Sequence, residues 1–483
     1  MPLDSPLHSE PRLVAERAFS RAAGAPLLGG NHVQLLIDAK IHFEQWLEAI
    51  GTARRQVLLE NYIIRDDRIG RAFRDALVER ARAGVRVCVI RDWMGCFGQS
   101  RQAFWAPLLE AGGEVRVYGP PHPLRPLTFV SRDHRKMLAV DDDIGFLSGV
   151  CVSAQWLGRP ERGLSPWRDT GLALRGPILA ELQQAFADNW ARLGEPLEAS
   201  ALVDVDALEP AGTTALRLIA TQPSTAGVYR LDQMIAAMAR QTLWLTDAYF
   251  VGVAPYVQAL ASAARDGVDV RLLVPGASDI PLVAGMSRAG YRPLLEAGVR
   301  VFEWNGSMLH AKTAVADAQW ARVGSSNLNL ASWLGNSELD VAIEDAEFAM
   351  QMQAQYESDL ENATEIVLAP RRYRRGQRIR GERHHAGPRH ARGSGGRAAA
   401  GAMRLAHTVG AALTNRRVLG HAESTPLIWG AVALAVIGVL GLVWPRVLGW
   451  PLALISLWMA LSLGARWVGL RRRAALEEKD HDD

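Results

Sequence analysis

The sequence predicts an α/β fold of two pseudo-symmetric halves, each a mixed, mostly parallel sheet flanked by helices, plus a C-terminal transmembrane helical hairpin. Three observations lead there. Short apolar strands alternate with helix-length segments, and the series runs twice, with matching positions about 180 residues apart. That alternation specifies an α/β fold. A pattern bearing histidine and lysine recurs once in each half. Two long uncharged apolar runs lie within the last 60 residues.

The elements follow in order. Arg55 to Tyr62 (RQVLLENY) reads as a strand after an amphipathic helix, and its counterpart is Arg240 to Tyr249 (RQTLWLTDAY). Ala83 to Ile90 and Asp266 to Val274 come next. In each, a helix stops at glycine and a strand follows. The string Leu108 to Gly112 is repeated as Leu294 to Gly298, again helix, glycine, strand. The period is far too long for a solenoid, so two units face each other across a pseudo-twofold. A proline-rich loop, Gly119 to Thr128, precedes the first motif. It either helps to shape a substrate entrance or is a plain surface insertion.

The boundaries expected are an N-terminal tail at 1–29, halves at 30–200 and 201–369, a basic linker at 370–420, the hairpin at 421–473 and an acidic tail at 474–483. Within the first segment, Arg12 to Ala23 reads equally as a short amphipathic helix or a frayed tail. The net charge of +3 says little, because Pro370 to Arg397 is dense in arginine while Glu477 to Asp483 is mostly acidic. Arginines beside a membrane anchor attract anionic headgroups, at about 1 kcal/mol per basic residue near the surface. The same run would suit nucleic acid, but its position before the hairpin favours lipid.

Thr425 to Trp444 is an uncharged stretch of twenty residues, and Val447 to Leu463 follows after Pro445-Arg446. Crossing the hydrocarbon core takes about 20 apolar residues. Arg416-Arg417 precede the pair and Arg471 to Arg473 follow it, which puts both outer flanks in the cytoplasm. The rival readings are a hairpin that dips in without crossing and a buried core pair. Cys88, Cys96 and Cys151 suggest neither a disulfide framework nor zinc, and fit a reducing compartment. The N-terminus has no apolar run of signal-peptide type.

The recurring pattern is His134, Lys136, Asp141, then Ser148-Gly149, and His310, Lys312, Asp317, then Gly324-Ser325. Only Lys40, Lys136, Lys312 and Lys479 among 54 basic residues are lysine, so half of the lysine sits in the motifs. On a strand, side chains two apart share a face. Each His–Lys pair then points one way, and the twofold joins two imidazoles and two ammonium groups in one pocket. That suits a phosphodiester, because lysine neutralises phosphoryl oxygens as a point charge. One histidine attacks phosphorus while the other protonates the leaving alcohol. The chemistry calls for no metal and no cofactor.

Ser325 and Asn327 lie in a small, donor-rich run (GSSN) suited to contacting the phosphate. Asp169 (in PWRDT) and Glu338 (in NSELD) are positioned to accept a histidine N–H and fix its tautomer. Asp141 and Asp317 complete the catalytic motif, yet they fall at strand ends, where an orienting role is expected. Met308-Leu309 and Phe129-Val130 read as strand core.

These residues resemble the phospholipase D superfamily, in which two such halves build one active site. The resemblance covers about Gln34 to Pro370. The second copy matches closely through His310, Lys312, Asp317, GSSN, Asn336 and Glu338. The first departs: Ser148-Gly149-Val150-Cys151 stands where a Gly-Gly-x-Asn run is common, so Cys151 replaces a phosphate-contacting Asn, and Asp169 stands where Glu is frequent. Through VLLENYI, PWRDTG and HAKTAVAD the chain is most similar to bacterial cardiolipin synthases. The resemblance implies a phosphohistidine intermediate, with His134 as nucleophile and His310 as acid. It implies phospholipid, phosphatidylglycerol above all, as substrate, and a body anchored on the cytoplasmic side of a bacterial inner membrane. The alternatives are hydrolysis of phospholipids to phosphatidic acid, a phosphodiesterase or nuclease of the same superfamily, and a non-catalytic scaffold. Nucleic acid is not the expected partner, given the hairpin and the lack of an obvious basic-aromatic groove in the repeats. The duplication supplies both half-sites in one chain, so it leaves the oligomeric state open.

Overall fold

The computed structural model describes residues 10–121, 131–368 and 416–419, with scattered helical positions between 435 and 461. The first half carries β1 (Leu28–Ile37), β2 (Gln56–Asn61), β3 (Arg86–Asp92), β4 (Glu114–Tyr118), β5 (Lys136–Val140), β6 (Ile144–Ser148) and β7 (Thr170–Arg175). The second carries β8 (Thr214–Thr221), β9 (Thr242–Thr246), β10 (Asp269–Pro275), β11 (Arg300–Trp304), β12 (Thr313–Ala316), β13 (Trp320–Gly324), β14 (Glu338–Ile343) and β15 (Ala363–Leu368). A short edge strand, β16 (Arg416–Leu419), pairs with β15.

The strands form one sheet in the order β4-β3-β2-β5-β6-β7-β1-β8-β14-β13-β12-β9-β10-β11-β15-β16. The order reads the same outward from the antiparallel β1–β8 junction as far as β4 on one side and β11 on the other. That mirrored order is the expected pseudo-twofold. The expectation of mostly parallel sheets is corrected: parallel pairing is confined to β2–β3–β4, β9–β10–β11 and β15–β16, and the other neighbours are antiparallel. The reason is connection length. Only residues 141–143 join β5 to β6 and only 317–319 join β12 to β13, whereas a parallel crossover needs a dozen or more.

The predicted helix stops are present. Gly84, Gly112, Gly267 and Gly298 all take left-handed backbone (φ 86° to 98°) at the end of a helix, and strands β3, β4, β10 and β11 follow. The helix Arg68–Arg82 starts from Asp67, whose carboxylate accepts the N–H groups of Ile69 and Gly70. Helices Asp38–Thr52 and Arg68–Arg82 cover one face of the first half. Helices Ile178–Arg192 and Ala346–Glu361 share a second core in which Leu182 and Phe186 of one half pack with Phe348 and Met352 of the other. With both faces covered, β5 and β12 are buried along their whole length.

Of the two readings of the N-terminal segment, helix or frayed tail, the structure has the helix, over Glu10–Ala23. Helix Glu10–Ala23 leads into Ala23 and Ala25, which are buried in the second half's core, and Arg230 donates to the Ala22 carbonyl at 2.9 Å. The proline-rich loop beyond residue 121, Phe129-Val130, the linker, the hairpin and the acidic tail lie outside the described residues, apart from β16 and the scattered helical positions. Among the described residues no helix is long and apolar enough to cross a membrane.

Candidate active site

Each motif histidine sits just before its strand rather than on it, clamped by the opposite half. The His134 N–H donates to the Ser337 carbonyl at 2.9 Å, and the His310 N–H donates to the Arg168 carbonyl at 2.7 Å. Short parallel bridges, Asp133 with Ser337 and Arg168 with Leu309, seal these two joints. The residue after each accepting carbonyl is the carboxylate that the sequence singled out. Glu338 Oε2 therefore lies 2.9 Å from His134 Nδ1, and Asp169 Oδ2 lies 2.8 Å from His310 Nδ1. The partners are crossed: each half supplies the carboxylate for the other half's histidine.

This geometry fixes the proton. Around His134 Nδ1 the neighbours are Glu338 and, at 3.2 Å, the Ser325 carbonyl, and both can only accept. Nδ1 must then carry hydrogen, which leaves Nε2 as the lone-pair nitrogen of a neutral ring. Burial pushes both imidazoles below their ordinary value, His310 to about 3, with Lys312 adding to the effect there and Asp169 opposing it. Burial also pushes the two carboxylates up, but the facing histidines and lysines outweigh it and hold both below the usual range. The resting state is thus neutral ring against ionised carboxylate.

The two carboxylates are held differently. Ser325 Oγ donates to Glu338 Oε2 at 2.6 Å and accepts the Leu339 N–H at 2.9 Å. The expectation that Ser325 contacts substrate phosphate is therefore corrected, because its hydroxyl is committed to Glu338. The matching position in the first half is Gly149, where a Cβ would come within 2.1 Å of Asp169 Oδ1. Asp169 instead accepts the Trp156 indole N–H at 2.9 Å and the Thr170 N–H at 2.9 Å. A shorter acid with a glycine beside it replaces a longer acid with a serine.

Lys136 and Lys312 are buried, and each ammonium donates to the carbonyl of its own motif histidine. Burial pulls Lys312 down to about 8, against the pull of Asp169. His134, Lys136, His310, Asn327 and Cys151 line one cavity of about 520 Å³. The side-chain oxygen of Asn327 has no partner among the described residues, so that atom is not tied up by the fold. Cys151 is the counterpart of Asn327 in the first half, and burial pushes its thiol up to about 11, so it brings no charge at neutral pH.

Asp141 and Asp317 do not reach this cavity. Both take left-handed backbone at the far ends of β5 and β12 (φ 50° and 51°). Five residues of strand carry Asp141 roughly 16 Å beyond Lys136. The Asp141 carboxylate accepts the N–H groups of Arg54, Arg55 and Gln56 at 2.8 to 2.9 Å. That of Asp317 accepts those of Arg240, Gln241 and Thr242 at 2.7 to 2.9 Å. Each aspartate pins the entry of the strand next to its motif.

Sequence reasoning missed the aromatic walls. Tyr62 stands edge-on to His134 at 4.9 Å, Tyr249 edge-on to His310 at 5.7 Å, and Trp156 edge-on to His310 at 5.3 Å. The two tyrosines were open to discovery, since each ends a string matched between the repeats, RQVLLENY and RQTLWLTDAY. Trp156 was open to discovery as well, since its string AQWLG (154–158) recurs as ASWLG (331–335), with Trp333 in the matching place.

Fold and site together define a phospholipase D-like enzyme whose histidine-lined cavity is built by two halves. A family model described as cardiolipin synthase, PLD-like domain, matches residues 232–360. Cardiolipin synthase A of Pseudomonas aeruginosa is 33% identical over 363 residues, covering 74% of this chain and 72% of that protein. Cardiolipin synthase of Halalkalibacterium halodurans is 30% identical over 355 residues, covering 72% of this chain and 70% of its own. Among solved structures, phosphatidylserine synthase of Haemophilus influenzae Rd KW20 shares the fold, with a TM-score of 0.57 at 14% identity over 72% of this chain and 91% of that one. The chain belongs to the cardiolipin synthase family of phospholipase D-like enzymes.

Proposed function

We propose that the protein moves a phosphatidyl group from one phosphatidylglycerol to another, making cardiolipin and releasing glycerol. The observation behind this reading is the pair of imidazoles, one from each half, lining one cavity with Nδ1 tied to a carboxylate. His134 Nε2 attacks phosphorus, forming a P–N bond as the P–O bond to the headgroup glycerol breaks. His310, which takes up a proton on Nε2 as the anionic phosphodiester settles beside it, gives that proton to the leaving oxygen and returns to its neutral form. A hydroxyl of the second lipid then yields its proton to His310 and attacks the same phosphorus, and the P–N bond breaks. Lys136 and Lys312 offset the phosphoryl charge, and Asn327 offers its amide to a phosphoryl oxygen. Asp169 and Glu338 hold the ring tautomers, while Asp141 and Asp317 brace strands. Water in place of the second lipid would give phosphatidic acid.

The two apolar runs after Ser424 support a body held at the cytoplasmic face of a bacterial inner membrane, where lipid is the abundant substrate. The deciding experiment offers the full-length protein phosphatidylglycerol vesicles and, separately, single-stranded DNA. Cardiolipin with an equivalent of glycerol is the expected result. Cleavage of DNA alone would reject the lipid reading in favour of a nuclease.

A pH dependence follows from the buried lysine. Lys312 carries its charge below about 8 and loses it as pH rises through that value. Transfer is expected to decline above about pH 8. On the acid side burial holds the His134 nucleophile below its ordinary value, so the acid limb should lie lower than that of an exposed imidazole. A kcat/KM profile measured from pH 5 to 10 checks both limbs. A profile flat to pH 10 would remove Lys312 from the charge-balancing role.

A further inference from the structure

A second cavity, of about 1010 Å³, adjoins the first and shares Arg65, Gln155, Trp167 and Asp279 with it. Trp167 is the wall between them, and its ring centroid lies 5.7 Å from that of His310. The two cavities differ in their basic groups. The first holds the histidines and Lys136, while Arg65, Arg68 and Arg159 converge on the second. None of those three arginines makes an ion pair among the described residues. This stands out because neighbours on the same helix are paired at 2.7 Å: Arg71 with Asp66, Arg74 with Asp75, and Arg80 with Glu79.

Among the described residues, three carboxylates line the same cavity, but none of them forms an ion pair with these arginines. The Asp67 carboxylate is spent on the N–H groups of Ile69, Gly70 and Ala154 and on the Ser153 hydroxyl. Asp279 accepts the Tyr249 hydroxyl at 2.8 Å. Glu161 remains, exposed, on a loop that the second half pins where the Ser307 hydroxyl donates to the Ser165 carbonyl at 2.6 Å. A built cavity with three guanidinium groups held in no ion pair among the described residues, next to a phosphoryl-transfer site, suits a second phosphodiester.

We infer that this cavity is the acceptor site, in which Arg68 and Arg159, with Arg65 at the shared wall, hold the phosphate of the second anionic glycerophospholipid. Its free glycerol hydroxyl passes Trp167 to reach the phosphorus bound to His134. There it loses its proton to His310, the new P–O bond forms and the P–N bond breaks. The inference rests on the transfer reaction proposed above. It makes these arginines decide which alcohol takes the phosphatidyl group, while donor cleavage depends on the first cavity.

The test uses the full-length Arg68→Gln/Arg159→Gln double variant in phosphatidylglycerol vesicles with added ethanol. Cardiolipin and phosphatidylethanol are counted by mass spectrometry. Both substitutions fall on exposed side chains, so the fold is expected to survive. Cardiolipin formation should fall about tenfold or more, the effect of losing charge-assisted contacts to a phosphate, while phosphatidylethanol formation holds or rises. An unchanged ratio of the two products would overturn the inference. So would an equal fall in both, which is the outcome if the arginines merely dock the protein on anionic headgroups. Unsubstituted protein that forms phosphatidylethanol but never cardiolipin would overturn the acceptor site while leaving phosphatidyl transfer standing. Unsubstituted protein that turns over no lipid would fail the reaction itself.

Discussion

His134→Ala and His310→Ala are each expected to cut phosphatidyl transfer by at least about 10⁴-fold, and the double variant to be no worse than either single one. The reason is the division of labour across one phosphorus atom. Without the nucleophile no P–N bond forms, and without the acid the leaving oxygen departs unprotonated. Each ring is buried against an ionised carboxylate, so removal leaves that carboxylate short of a partner. Circular dichroism and membrane fractionation of each variant separate loss of chemistry from loss of fold. His310→Gln, which keeps a polar side chain with an amide donor, is the companion variant. Mass spectrometry of peptides from a rapidly quenched reaction should find the phosphatidyl group on His134. The phosphatidyl group on His310 alone would exchange the two roles. Turnover close to that of the unsubstituted protein in either alanine variant would sink the two-histidine mechanism.

Glu338→Gln is the second large effect, with an expected loss of about 10² to 10⁴-fold in kcat. The amide can still accept the His134 Nδ1–H, but it no longer stabilises positive charge on the ring. Because the pairing is crossed, a substitution in the second half should damage the step made by the first half's histidine. Single-turnover kinetics should therefore record slower release of the first alcohol in Glu338→Gln. The carboxylate holds the ring's basicity up, so its removal also lowers the His134 pKa further. The acid limb of the remaining activity should then move to lower pH. In a His134→Ala background the same substitution should add almost nothing. Full additivity of the two would mean that Glu338 acts on something other than that ring.

Much of this was legible in the chain, for identifiable reasons. The duplication stands out because arginine is the default base, so Lys136 and Lys312 are conspicuous. The helix stops at Gly84, Gly112, Gly267 and Gly298 were readable because few residues other than glycine close a helix with left-handed backbone at no steric cost. Asp169 and Glu338 were found by their place downstream of each motif. Their crossing was not, since which ring a carboxylate meets depends on the β1–β8 junction and the bridges at Ser337 and Arg168, and these are tertiary facts. Ser325 was misjudged because a serine beside a phosphate and a serine beside a glutamate look alike in one dimension. Asp141 and Asp317 belong to the repeating string, yet an extended strand carries them far from the histidines. The sheet was expected to be mostly parallel because strand and helix alternate at the start of each half, while the short β5–β6 and β12–β13 connections enforce the opposite pairing.

The exchanged carboxylates also bind the history of the two copies together. A duplicated gene ordinarily lets one copy wander while its twin keeps working. Here Glu338 came to terms with Ser325 on behalf of a ring encoded in the other copy, and Asp169 did the same with Gly149 and Trp156. Recombination that overwrote Gly149 with its serine counterpart would drive a side chain into Asp169 and disable a histidine some 160 residues away. Neither copy could be homogenised against the other piecemeal, so the differences between them are locked in as matched sets.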